Sequence, residues 1–137
     1  MNIEIINLPR FTDPRGNLSV VESFKNVPFD IKRVYFTYDV PAGESRAHHA
    51  HKELTEFIIA VSGSFTVELD DGREKKRIQL NKPYEGLLVN PGIWRNLVDF
   101  STGAVVLVLC SDFYNPDDYI DDYQEFLDFC KNNNLPA

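Results

Sequence analysis

Cysteine, methionine, tryptophan and histidine are scarce in this chain of 137 residues, which holds two, one, one and three of them respectively. Each shortage excludes something. Cys110 and Cys130 have neither the spacing nor the neighbours of a zinc pair, and two cysteines make no disulfide framework, so both read as reduced thiols in a core strand and a helix. No run of about 18 apolar residues is present, which removes a membrane-spanning helix. The opening Met1-Asn-Ile-Glu-Ile lacks the basic and apolar regions of a signal peptide, and a cytoplasmic protein is expected. Positive charge is short as well: 14 Lys and Arg against 21 Asp and Glu give a formal net charge of -7. That balance repels phosphate backbones and anionic lipid, so neither nucleic acid nor membrane is an expected partner. Arg15, Arg33, Arg46 and Arg95 still suffice for one small anionic ligand, because charge acts locally at a few ångströms. Repeats, linkers and low-complexity segments are missing too, and the length suits one domain over residues 1–137.

What the chain does contain is β-forming sequence. Hydrophobic residues make up 43% and aromatics 12%, with Phe and Tyr dominating the aromatics, and such residues favour pleated surfaces. Short apolar or alternating runs predict strands at Ile3–Ile6, Leu18–Glu22, Ile31–Tyr38, Glu56–Val61, Ser64–Leu69, Lys75–Leu80, Glu85–Val89 and Val105–Leu109. Turn formers separate them, among them Asp13-Pro-Arg-Gly16, Ser62-Gly63, Asp71-Gly72 and Asn90-Pro-Gly92. Phe57–Val61 and Val105–Leu109 are apolar on both faces, so each side must be covered by another sheet or by a partner chain, which points to a dimer. At Asn115-Pro-Asp-Asp the pattern changes to a capped helix start. Tyr119, Ile120, Tyr123, Phe126, Leu127 and Cys130 then recur at helical spacing, predicting a C-terminal helix over about 116–131 that ends at Asn132–Asn134.

All three histidines fall in four positions, His48, His49 and His51. In a strand, residues two apart share a face, so His49 and His51 project together and His48 points away. Gly43 to Gly63 reads G-x5-H-x-H-x4-E-x6-G, which resembles, position for position, the first motif of the cupin superfamily. The resemblance implies an all-β jelly-roll barrel, here with a C-terminal α-helix, whose site lies on the first-motif strands.

In metal-binding cupins two His and a Glu are joined by a further His. The corresponding stretch here, Gly86-Leu-Leu-Val-Asn-Pro-Gly-Ile-Trp-Arg-Asn96, has none. Arg95 or Asn96 stands there instead, and a guanidinium has no free lone pair and repels a cation. No metal and no other cofactor is therefore expected, and the histidines read as proton carriers. An imidazole near its ordinary pKa takes a proton from carbon beside a ketone and returns it. Arg46, Tyr35 and Arg95 are candidate donors to the resulting enolate.

The segments Asp13-Pro-Arg-Gly-Asn-Leu18, Ile31-Lys-Arg-Val-Tyr35, Arg46-Ala-His-His-Ala-His-Lys52, Ser62-Gly-Ser64, Leu69-Asp-Asp-Gly72, Ile93-Trp-Arg95 and Ser111-Asp-Phe-Tyr114 resemble the dTDP-4-keto-6-deoxyglucose 3,4-ketoisomerases of deoxysugar biosynthesis. That resemblance implies a metal-free homodimer exchanging an N-terminal strand (about residues 1–10), which converts a dTDP-linked 4-keto-6-deoxy sugar into its 3-keto isomer ahead of an aminotransferase. It makes His49 the base at carbon 3, with His51 and Tyr35 as catalytic companions. It places Arg15, Arg33, Arg46, Lys52, Trp94 and Arg95 at substrate-binding positions. Position 56 is Glu where many relatives carry Gln, which leaves a metal-dependent cupin enzyme using His49, His51 and Glu56 as an alternative. The others are a 3,5-epimerase, a sugar-nucleotide binding module without turnover, and a pair of histidines that merely pack or solvate.

Overall fold

The structure, a computed structural model, describes residues 1–133. Its strands are β1 (Ile3–Asn7), β2 (Arg10–Asp13), β3 (Gly16–Ser19), β4 (Arg33–Thr37), β5 (Arg46–His51), β6 (Glu56–Ser62), β7 (Phe65–Asp70), β8 (Lys75–Leu80), β9 (Glu85–Val89), β10 (Trp94–Val98), β11 (Val105–Cys110) and β12 (Tyr119–Ile120), followed by the helix α1 (Tyr123–Asn132). One five-stranded sheet runs β1-β9-β6-β11-β4, a second runs β12-β5-β10-β7-β8, and β2–β3 is a separate hairpin. The two large sheets are packed against each other without closing into a hydrogen-bonded ring.

Alternation along the apolar strands explains the layering. Ile58, Ala60, Leu87, Val89, Val106 and Val108 turn inward and meet Phe65, Val67 and Leu69 of the opposite sheet in one buried cluster. Phe57, Ile59, Leu88 and Leu109 turn outward under Leu8, Val27 and Phe29. The second face of these strands is thus covered by the chain's own segments before β4. Each such side chain contributes on the order of 1.5–3 kcal/mol by leaving water. Gly86 lies under the Phe57 ring, and a Cβ there would collide with it.

The structure differs from the sequence expectation in three respects. Leu18–Glu22 is not one strand: β3 ends at Ser19 because it pairs with β2 across the Asp13–Gly16 turn. The strands β2, β10 and β12 have too little apolar alternation to stand out. The helix begins at Tyr123, not near 116. Asn115 does cap a turn, accepting from the Asp117 N–H, but Pro116–Asp118 is a 3₁₀ turn, after which Tyr119 and Ile120 extend to pair with His51 and Ala50. Ile120 is buried there with Ala50, Trp94, Phe126 and Cys130, a gain that outweighs continued helix. Asp122 then caps α1 by accepting from the Gln124 and Glu125 N–H groups. The helix stops at Asn132, and Asn134 lies outside the described residues.

Candidate active site

At one end of the barrel the inward positions change from apolar to polar. Opposite sheets contribute His49 and His51 from β5, Arg95 from β10, Glu56 from β6, Tyr35 from β4 and Cys110 from β11. A bulge sets the aim of β5. Arg95 stands opposite His49 while Asn96 stands opposite Ala47, so His48 is an extra residue, and Ala47 and His48 both take left-handed φ, 74° and 60°. Bulges of this kind redirect side chains beside sites, at a cost in backbone strain. His48 is turned outward, where its Nε2 meets Ser45 Oγ at 2.7 Å.

Glu56 is the centre of the cluster. Arg95 Nη1 donates to its Oε1 at 2.6 Å, and Tyr35 Oη donates to its Oε2 at 2.8 Å. Arg95 Nη2 donates to the Ile93 carbonyl at 2.9 Å. His51 Nε2 is 3.7 Å from Glu56 Oε1, and its Nδ1 is 2.9 Å from Asp118 Oδ2. Arg95, Glu56 and His51 are buried to 1%, 1% and 0% exposure. Asp118 is itself pinned, its Oδ1 accepting from the Glu53 N–H at 2.7 Å and its carbonyl from the Lys52 N–H at 3.0 Å. The rings of His49 and His51 meet edge to face at 4.8 Å, and Tyr119 packs on both, at 5.0 Å and 4.5 Å. Buried polar atoms without a hydrogen-bond partner include His49 Nε2, His51 Nε2 and Arg33 Nη1. Since such atoms cost free energy when left unmade, they mark where a ligand would bind.

The charges follow from the geometry. Burial alone would raise Glu56, but Arg95, then His51 and Tyr35, hold it below the ordinary carboxylate range. Burial first and Arg95 second push His51 down to about 3, and the same two causes lower His49. A neutral His51 that donates from Nδ1 to Asp118 keeps its lone pair on Nε2. Burial and then Glu56 raise the Tyr35 phenol and bring the Cys110 thiol to about 12, so both stay protonated. For His51 the folded value of about 3 lies below the ordinary 6.5, so below pH 6.5 the unfolded chain binds a proton that the fold refuses. This contribution is complete above 6.5 and is lost as pH falls towards 3, at about 1.4 kcal/mol per pH unit. Denaturation midpoints are expected to drop below about pH 6.5 and His51→Gln to remove part of that slope; a profile flat to pH 5 would mean that the folded site accepts the proton.

His49, His51 and Glu56 each offer a ligand atom, all within 4.8 Å of one another, as a divalent ion would need. The fourth position decides against it. Arg95 occupies the carboxylate face that an ion would use, at 2.6 Å, and Tyr35 holds the other oxygen. A metal would meet a buried guanidinium within a few ångströms, and Glu56 would have to abandon its counter-charge. The donor set does not fit a divalent metal.

The other positions expected from the sequence divide. Arg33 joins the cluster, its guanidinium 4.8 Å from the Tyr35 ring and 5.1 Å from that of Tyr114. Lys52 instead donates from Nζ to the Asp117 carbonyl at 3.1 Å, tying down the 3₁₀ turn. Trp94 lies on the outer face of its sheet against Tyr123, at 5.4 Å, and Phe126, at 5.9 Å. Arg46 is exposed at the start of β5, where it lines a shallow pocket with Tyr38, Asp39 and Glu44. Arg15 is exposed at the tip of the β2–β3 hairpin, paired with Asp13 at 2.7 Å. Asp118 and Tyr119 lie outside the site the sequence predicts, because Asn115-Pro-Asp-Asp carries the pattern of a capped helix start.

Two packed antiparallel sheets carrying histidines, a carboxylate and an arginine in a polar interior end define a cupin-type barrel. Within that class the chain belongs to the family described as FdtA: WxcM-like, C-terminal, which matches residues 1–131. It is 42% identical over 135 residues to the TDP-4-oxo-6-deoxy-alpha-D-glucose-3,4-oxoisomerase of Aneurinibacillus thermoaerophilus, covering 98% of this chain and 97% of that protein. A 3,4-ketoisomerase from Helicobacter canadensis is 45% identical, with a TM-score of 0.94 over 96% of this chain and 98% of that one. A mutant of the 3,4-ketoisomerase QdtA from Thermoanaerobacterium thermosaccharolyticum, crystallised with TDP-4-keto-6-deoxyglucose, is 37% identical, also with a TM-score of 0.94, over 96% and 95% of the two chains.

Proposed function

We propose that the chain is a sugar-nucleotide 3,4-ketoisomerase, an intramolecular oxidoreductase that moves the ketone of a dTDP-linked 4-keto-6-deoxyhexose from carbon 4 to carbon 3. The observation that carries this reading is a half-buried His49 whose Nε2 has no partner, set beside a barrel interior whose arginine disfavours metal. The 42–45% identity to named 3,4-ketoisomerases along nearly the whole chain supports the substrate class.

His49 Nε2 takes the proton from carbon 3, the electrons form an enediolate, and the same proton carrier delivers to carbon 4. No external oxidant is involved, since one carbon is oxidised as its neighbour is reduced. His51, fixed by Asp118, supports the His49 ring from behind, and the unpaired Arg33 Nη1 suits a substrate oxygen or phosphate. General base catalysis supplies about 10²–10⁴-fold. Tyr35, locked on Glu56, holds the carboxylate and does not face substrate as a free acid.

The same reading includes a cytoplasmic homodimer. Residues 10–19 are all exposed, including Phe11 at 61% and Leu18 at 59%, and Val34 and Phe36 lie bare on the edge strand β4, with Tyr38 exposed just beyond its end. The strand expected to exchange, at about residues 1–10, pairs here as β1 with β9 of its own chain, so the hairpin with its exposed Phe11 and Leu18 is the part that would reach a second copy and carry Arg15 to it. Sedimentation should give twice the chain mass of 15.7 kDa.

The function is tested by incubating the protein with dTDP-4-keto-6-deoxyglucose and following the carbon-13 signals of the ring. Loss of the carbon 4 ketone and growth of one at carbon 3 is expected. Tight binding with neither ketone migration nor exchange at carbon 3 would make the protein a sensor instead.

A further inference from the structure

Moving a ketone between neighbouring carbons transfers two protons. One passes from carbon 3 to carbon 4, and the other must leave the hydroxyl on carbon 3 and arrive on the oxygen at carbon 4. A single imidazole engaged with the carbons does not also serve both oxygens, so a second proton carrier is needed beside it. Tyr35 is excluded by its bond to Glu56 at 2.8 Å, and His51 by complete burial and its bond to Asp118.

Tyr119 remains. Strand β12 pairs it directly with His51, so its side chain shares the inward face of β5, while its neighbour Ile120 pairs with Ala50 and turns to the outer cluster. Its ring packs on His49 at 5.0 Å. With Arg33, Asn115 and the carboxylates of Glu53, Asp112 and Asp118 it lines a cavity of about 70 Å³, in which Arg33 is the one cation beside the phenol. Burial raises this phenol, and the Arg33 guanidinium beside it pulls it part of the way back.

We propose that Tyr119 is a catalytic residue, the carrier of the oxygen-side proton, with Arg33 stabilising its phenolate. This rests on the ketoisomerase reading. In the first step His49 Nε2 takes the carbon 3 proton, the C–H electrons form the C3=C4 bond, and the carbonyl electrons move to the oxygen on carbon 4, which takes the Tyr119 proton. In the second step the phenolate takes the proton from the hydroxyl on carbon 3, C3=O forms, and the electrons of the C3=C4 bond take the proton from His49 at carbon 4. Both residues return to their starting states.

Tyr119→Phe keeps the ring against both histidines and removes only the hydroxyl. In deuterated water with dTDP-4-keto-6-deoxyglucose, ketone migration is expected to fall about 100-fold or more. Exchange at carbon 3 should fall much less, because His49 still forms and quenches the enediolate, and KM and TDP affinity should stay within a few-fold. Unchanged migration would overturn the assignment. So would a parallel loss of migration and exchange, which would make Tyr119 a positioning residue for His49. Wild-type protein that catalyses neither process would overturn the ketoisomerase reading together with this one, whereas an active wild type matched by its variant removes Tyr119 alone.

Discussion

His49→Asn is expected to cut ketone migration by about 10⁴-fold, the upper end of what general acid–base catalysis supplies. Asparagine is smaller but polar, and it has no titrating nitrogen, so the loss should fall on kcat. Binding should survive, because Arg33 and the rest of the cluster are untouched; TDP affinity is expected to stay within about threefold. Steady-state kinetics and calorimetric titration with TDP together check both parts. Turnover within tenfold of the parent would remove His49 from the base role, and lost turnover with equally lost TDP binding would make it a structural residue.

The second large effect is on stability. Arg95→Met is expected to cost about 3–5 kcal/mol, because Glu56, at 1% exposure, would keep a charge that had lost its partner at 2.6 Å. For a chain of this size that lowers the melting temperature by on the order of 10 °C. Adding Glu56→Gln to the same chain should recover more than half of the loss, since the orphaned charge disappears while Tyr35 still has an oxygen to donate to. Chemical denaturation of the single and double variants measures both. A cost below about 1 kcal/mol for the single variant would show that Glu56 can be solvated or protonated cheaply, and that the ion pair does not hold the barrel end together.

The parts of this architecture that follow from nearest neighbours could be read in the sequence. Runs such as Phe57–Val61 specify a two-sided buried strand by composition, which holds through Ala60 while Val61 is 41% exposed, and Gly63 and Gly72 sit at turns with φ of 66° and 94°. The His49, His51 and Glu56 spacing put three polar groups within one local unit, and the structure brings them within 4.8 Å. Distant register was harder to read. Trp94 and Arg95 are adjacent, and which of them faces inward depends on how β10 pairs with β5 across the bulge at His48. The structure turns Arg95 in and Trp94 out. Asp118 and Tyr119 carry a helix-start pattern, and only the competing ladder with β5 pulls them out of the helix and against His51. The two-sided apolarity of β6 and β11 marked buried faces correctly but named no occupant, and the chain itself supplies Leu8, Val27 and Phe29 as the cover.

A neutral imidazole that does the chemistry in a barrel whose arginine keeps ions out needs no metal. The decisive experiment is turnover of dTDP-4-keto-6-deoxyglucose by protein stripped with a strong chelator, with metal content measured on the same sample. The expected result is an unchanged rate with iron, manganese and zinc all far below one ion per chain. A rate that collapses on stripping and returns with one of those metals would contradict it.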